Sequence, residues 1–337
     1  MKKILIRIFL MVGLLRGGLR GFAQQNIQFT QYIFNAMSVN PAYAGYKEEW
    51  YLQLAARSQW VGLEGAPQTL SLSIDGLTNP TQKRHGVGLQ LTTDKLGPQS
   101  TNSIYGNYAF RMRLDESDLK RLSIGIAAGI TQYSLDGALL DPINAGDPTL
   151  PEGKISNFLP DIRIGVYYNS PTFYMGASVM DVLSGNLNSD IFRWDNTTTD
   201  NIKRKPHIYI ITGGLINIDA GTKIRPSLLW KEDLRGPSSL DLNAMVIFGE
   251  KLWIGAGWRT GVTVWTKNYE RYTGNSLSKQ NSFSGILQVY ANKNFRIGYS
   301  YDYIVSKLSS VQNGSHEISI GYTIGSNRSG VLSPRYF

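Results

Sequence analysis

The chain of 337 residues contains no cysteine. That excludes a disulfide scaffold, thiolate metal sites and cysteine catalysis. Histidine is scarce as well. Only His85, His207 and His316 occur, and no two are close enough in sequence to suggest a local metal site. Charged residues make up only 18% of the chain, which argues against coiled coils and disorder. After residue 23 there is no apolar run of the roughly 18 residues that a membrane helix needs, so a helical membrane protein is excluded.

Catalytic signatures are missing too. The sequence has no G-x-S-x-G elbow and no Walker A run. His316-Glu317 lacks a second histidine at the zincin spacing. On a strand those two neighbours would face opposite sides, so they would not act together on a metal or a proton. The formal charge is +9, but Lys2, Lys3, Arg7, Arg16 and Arg20 all precede residue 24 with no acid among them. Without that segment +4 remains, which weakens a nucleic-acid reading because such a role wants a concentrated basic face. The expectation is a protein with no catalytic, cofactor or metal site and no nucleic-acid partner.

What the sequence does contain is a secretory start followed by β-type patterning. Residues 1–23 have a Lys2-Lys3 basic region, an apolar stretch from Ile4 to Leu15 and a small-x-small site at Gly21-Phe22-Ala23, the layout of a signal peptide. A membrane anchor is the competing reading, but the apolar run is too short for ~30 Å of hydrocarbon. Gly (35 residues) and Tyr (19 residues) are abundant. Period-2 alternation recurs from Trp50 onward, as in Leu70, Leu72 and Ile74 against Ser71, Ser73 and Asp75. It predicts fourteen strands at 50–61, 67–77, 84–95, 99–114, 119–135, 158–169, 171–181, 205–218, 221–230, 236–249, 251–266, 281–291, 293–304 and 314–325.

Every second connection between these strands is short, and the long ones, 136–157, 182–204 and 267–280, fall in the other set. Segregated loop lengths and an even strand count are the signature of a transmembrane β-barrel with both ends periplasmic. Arg57, Asp75, Asp94, Arg163, Arg225, Asp241, Arg259, Arg296, Asp302 and Glu317 all fall on the polar side of their strands. A lumen with both signs can cross-link itself by ion pairs. Trp50, Trp60, Trp230, Trp265 and Tyr303 lie near strand ends and suit interfacial aromatic girdles. Glycines at Gly125–Gly129 and Gly255–Gly257 sit inside strands, as close packing or bends.

The segment Gln28-Phe29-Thr30-Gln31-Tyr32-Ile33-Phe34-Asn35, with Asn40-Pro41-Ala42-Tyr43-Ala44-Gly45, resembles the opening of the PorP/SprF family. Further stretches match in order, among them Arg57-Ser58-Gln59-Trp60 with Gly65-Ala66-Pro67-Gln68-Thr69, Gly255-Ala256-Gly257-Trp258-Arg259 and the terminal Pro334-Arg335-Tyr336-Phe337. The resemblance implies an outer-membrane barrel of the type IX secretion system in Bacteroidota-type bacteria. It also implies partners in the periplasmic ring and in secreted sorting-domain cargo, including gliding adhesins, and no enzymatic activity.

The combined expectation is an all-β protein, a single transmembrane antiparallel β-barrel of about 14 strands in the outer membrane, in contact with its lipids. Residues 1–23 are the signal, 24–49 a periplasmic or lumen-plugging segment, 50–325 the barrel and 326–337 a tail. Phe29, Tyr32, Phe34, Asn40, Pro41 and Tyr43 would dock a periplasmic partner or plug the barrel mouth. Arg57, Asp94, Arg259, Asp302 and Glu317 would form a lumen charge network. The long loops 136–157 and 182–204 are the candidate cargo-binding surface. Two rivals remain, a passive porin or fatty-acid-type channel and an outer-membrane hydrolase.

Overall fold

A computed structural model of the chain describes residues 27–140, 151, 153–185, 191, 204–234, 238–262, 264, 282–305 and 307–325. Fourteen antiparallel strands follow in chain order. They are β1 (Trp50–Ser58), β2 (Gln68–Leu77), β3 (His85–Leu96), β4 (Gln99–Arg113) and β5 (Arg121–Asp136). Next come β6 (Lys154–Asn169), β7 (Phe173–Met180), β8 (His207–Gly214, continued by Ile216–Asn217), β9 (Thr222–Asp233) and β10 (Ser238–Phe248). The last four are β11 (Leu252–Val262), β12 (Ser282–Tyr290), β13 (Phe295–Ile304) and β14 (Ser315–Ile324). Each strand pairs with its neighbours in sequence, and β14 pairs with β1 from Trp50↔Ile324 to Ser58↔His316, so the sheet closes on itself. Closure leaves no strand edge in lipid, which is what a bilayer demands of a sheet.

All fourteen expected strands are present, within a few residues at their ends. β6 starts at Lys154 rather than residue 158, and β11, expected to run to 266, ends at Val262. Trp60 is a correction. The alternation placed it on the first strand, yet β1 stops at Ser58 and Trp60 has φ +47° in the following loop. There its amide donates to Ser315 Oγ at 3.1 Å, and Val61 takes up a backbone bond to Gly314. Trp265 and the tail 326–337 lie outside the described residues, as do the signal residues.

The break in β8 has a local cause. Pro226 on β9 has no N–H to give to the ladder. Pairing with β8 lapses opposite it, between Ser227↔Gly213 and Ile224↔Ile216. Proline is tolerated in a sheet where a neighbour bulges away.

Two ends of the barrel can be told apart. Trp50 and the short connections 78–84, 114–120, 170–172, 218–221, 249–251 and 291–294 mark one end, called here the turn end. Ser58, Ser315 and the remaining connections, which include the two-residue 97–98 and all of the long ones, mark the other, the loop end. The wall is uneven: β4, β5 and β6 have 15, 16 and 16 residues, while β7 has 8. On these tall strands the apolar outer face, with Ile104, Ile130 and Phe158 all exposed, gives way toward the loop end to Asn102, Gln132 and the hydrogen-bonded pair Ser134 and Ser156.

The outer face carries exposed Leu, Ile, Val and aromatic side chains, among them Leu72, Leu89, Ile126, Ile254 and Ile318. Trp50 (41% exposed) stands at the turn end and Tyr303 (55%) at the loop end. Such a surface is stable only against lipid. The buried core lies inside the barrel, where Tyr32, Ile33, Phe34, Ala36, Met37, Ala42, Tyr43, Ala44 and Tyr46 from before β1 pack against inward-facing side chains such as Tyr167, Met245 and Trp253.

Candidate functional site

The lumen is occupied by the chain's own amino-terminal segment. Residues 29–46 are folded into a train of turns and two short 3-10 helices, Ala36–Ser38 and Pro41–Tyr43. The second begins on a capped start. Asn40 Oδ1 accepts from the Ala42 amide at 2.9 Å, and Pro41 occupies the first helical position, where a missing N–H costs nothing. The Asn40 side chain also donates to the Val166 carbonyl at 2.9 Å, tying the cap to β6. Ser178 Oγ on β7 donates to the Val39 carbonyl.

Glycines in the wall make room for this segment. A β-carbon on Gly125 of β5 would overlap the Ala42 amide, and one on Gly86 of β3 would overlap the Ala44 carbonyl. The close packing expected of the strand glycines is therefore packing against the plug at Gly125, whereas Gly257 meets Asn243 and Ser284 of its neighbouring strands.

All six residues named from the sequence as plug or docking residues are inside the barrel. Phe29, Tyr32, Phe34, Asn40 and Tyr43 are between 1% and 6% exposed, and Pro41 is buried with them. Phe34 packs on Trp253 with centroids 5.4 Å apart, and the guanidinium of Arg296 lies 4.7 Å from its ring. Tyr43 stacks on Tyr46 at 4.9 Å and meets the edge of Tyr167 at 5.6 Å. Desolvation of cations over these rings is where a cation–π contact is worth most.

The expected charge network divides into separate groups. Arg57 on β1 pairs with Asp302 on β13 at 2.6 Å and with Glu317 on β14 at 3.1 Å, all three buried. Arg259 belongs to a second group, with Nε 2.8 Å from Asp241, which also takes Lys231 at 2.9 Å. Asp94 stands apart from both; its carboxylate accepts from Thr69 at 2.5 Å. The alternation put all five inside, but it carried no information on which strands face each other across the lumen.

Two further groups were not foreseen. Near the turn end Glu48 binds Lys83 at 2.8 Å and sits within 4 Å of Arg111 and Arg121. Asp75 accepts from the Gly45 amide at 2.8 Å while Arg111 donates to the Gly45 carbonyl at 2.7 Å. Near the loop end Arg204 bridges Asp181 at 2.6 Å and Asp161 at 3.4 Å. The connection 182–204 was expected to be a surface loop and a candidate cargo-binding one; its described part is anchored by Arg204 and by Leu183, whose amide donates to Asp161 at 3.3 Å. Residues 186–190 and 192–203 lie outside the described residues, as do 141–150 and 152 of the other long loop.

His316 and Glu317 do face opposite ways. Glu317 is in the lumen, while His316 Nδ1 meets Tyr299 Oη at 2.7 Å on the outer wall. A small cavity of about 70 Å³ remains above the plug, lined by Phe29, Val39, Gln90, Arg163, Tyr209 and Lys231 among others. Ligand sites generally need about 300–1,000 Å³. Arg163 lies over the Tyr105 ring, 3.4 Å from its centroid.

A family model described as type IX secretion system membrane protein PorP/SprF matches residues 21–322. No curated protein matches the chain. Among solved structures it is similar to the CymD monoaromatic hydrocarbon channel, at 14% identity and TM-score 0.53, over 89% of this chain and 93% of that one. It is also similar to a Pseudomonas aeruginosa FadL homologue, at 10% identity and TM-score 0.46, over 87% and 94% of the two chains. Omp33 of Acinetobacter baumannii is a third, at 8% identity and TM-score 0.43, over 82% and 99%. At such identities the CymD likeness shows the barrel fold alone. The family match runs from before the plug into the last strand, so this outer-membrane barrel belongs to the PorP/SprF family of type IX secretion system membrane proteins.

Proposed function

We propose that the protein is a non-enzymatic binding and anchoring component of the type IX secretion apparatus. It supports export or surface attachment of sorting-domain cargo, gliding adhesins included, at the loop end and links to the periplasmic ring at the turn end. Family membership supports the secretion role. The observation that favours anchoring over conduction is the filled lumen, in which the plug leaves about 70 Å³ of space at the cavity above it. Short connections facing the periplasm and long ones facing outward are the usual orientation of such barrels. That orientation gives the two ends different partners.

A mild-detergent pull-down of the tagged protein from its native outer membrane tests this. Recovery of periplasmic ring components or of a large sorting-domain protein supports the proposal. Recovery of the barrel alone, with cross-linking also failing to capture a partner, overturns it. The second reading is a passive channel, which the fold shared with a hydrocarbon channel keeps in view. Steady single-channel conductance of the intact protein in planar bilayers would favour it.

A further inference from the structure

The plug does more than fill space, because of where its first described residues bind. The barrel is closed by the pairing of β14 with β1, in which Glu317 is the register partner of Arg57. This seam joins the first and last strands to be made, and no covalent connection spans it. Thr30 and Gln31 sit on it from inside. The amides of Thr30 and Gln31 donate to the two oxygens of Glu317 at 2.7 and 3.1 Å. Thr30 Oγ1 donates to Asp302 at 2.6 Å and accepts from Arg57 at 2.8 Å. Gln31 Nε2 donates to the Glu317 carbonyl at 3.1 Å. Gln31 Oε1 accepts from Ser319 at 2.7 Å and from Gln288 on β12 at 2.6 Å.

Two consecutive residues therefore bind β1, β12, β13 and β14 at once, at the loop-end half of the seam. The same segment continues to Glu48 at the turn end and enters β1 there. It is covalently part of one side of the seam and hydrogen-bonded to the other. Each of these contacts is buried, and several carry charge, the class of hydrogen bond that contributes most.

We propose that Thr30 and Gln31 act as an internal staple that holds the β1–β14 seam closed. Two consequences follow. The seam is not a lateral exit into the membrane while the plug is seated. The segment and the seam are also coupled, so that loosening one loosens the other.

The test is amide hydrogen exchange of the whole protein in detergent, comparing wild type with a Thr30→Ala/Gln31→Ala double variant. Peptides covering 50–58 and 315–324 should exchange at least about tenfold faster in the variant, the size expected from losing even one hydrogen bond to a charged group. Peptides covering β4 and β5 should not change. Unchanged exchange at the seam, or acceleration spread evenly round the barrel, overturns the staple. Should the double variant fail to assemble, the single variants Thr30→Ala and Gln31→Ala give a second route. Each should speed exchange of the same two seam peptides while leaving those of β4 and β5 unchanged. Seam exchange equal to wild type in both single variants also overturns the proposal.

Discussion

Gly125 and Ala42 meet backbone to backbone: the space where a β-carbon of Gly125 would lie is taken by the Ala42 amide. Backbone cannot swing aside as a side chain can. Gly125→Val is therefore expected to unseat the second 3-10 helix of the plug and cost about 1–3 kcal/mol, the usual range for overpacking. Urea unfolding in lipid or detergent would show a lowered midpoint. A variant as stable as wild type would mean that the plug is not pressed against β5.

Asp241 holds two cations at once, Arg259 at 2.8 Å and Lys231 at 2.9 Å. Replacing it with Asn leaves both charges in a buried lumen, and breaking a buried pair on one side costs about 3–5 kcal/mol. Asp94→Asn keeps an amide oxygen to accept from the Thr69 hydroxyl and gives up only the charge on that bond, a loss of about 1 kcal/mol. Unfolding midpoints should rank the two variants in that order. Equal losses would contradict the division of the lumen charges into separate groups.

Phe29, Tyr32 and Phe34 contribute rings to the plug core. A triple replacement with Ala should destabilise the segment strongly, since each large-to-small change in a core costs about 3–5 kcal/mol. Planar-bilayer recordings should then show conductance that the wild type lacks. If the triple variant assembles, exports cargo normally and stays silent, these aromatics neither dock a partner nor seal the lumen.

Two of the short turns are built on aspartates outside the membrane. The Lys120 amide, then the Ser117 hydroxyl, hold the Asp115 carboxyl below the usual carboxylate range, and the Gly221 amide, then Thr222, do the same for Asp219. A carboxyl lowered on folding stabilises the folded chain above its unfolded value of about 3.9, and that contribution is lost as pH falls through the folded value. Asp115→Asn should thus be less stable than wild type at neutral pH, and the gap should close on acidification. A gap that widens in acid would reverse the assignment.

Much of the wall was legible because a barrel strand writes itself with period 2. Leu70, Leu72 and Ile74 against Ser71, Ser73 and Asp75 announce both the strand and its two faces, and β2 spans Gln68–Leu77. Alternation also separated His316 from Glu317. It failed at Trp60, where a suitable residue type follows a strand that has already turned. The interior was only half legible. The strand glycines announced close packing, but the helix start at Asn40-Pro41 went unread. Yet Arg57 meets Asp302 across 245 positions of sequence, and Arg259 meets Asp241 instead of either. Contacts of that reach depend on closure of the sheet and on the path of the plug, which no local pattern carries.

The unequal strands give the molecule a sidedness. Sixteen residues at about 3.3 Å each, tilted by about 40°, rise about 40 Å, whereas the apolar band of such barrels is about 25 Å tall. Eight residues rise only about 20 Å on the same reckoning. The β4–β6 flank must therefore stand clear of the lipid as a parapet, with Asn102 and Gln132 on its outer side, while the β7 flank ends near the membrane surface. Among the described residues the strands make a high wall on one side of the loop end and a low one on the other, so the barrel has a bearing in the plane of the membrane as well as an inside and an outside.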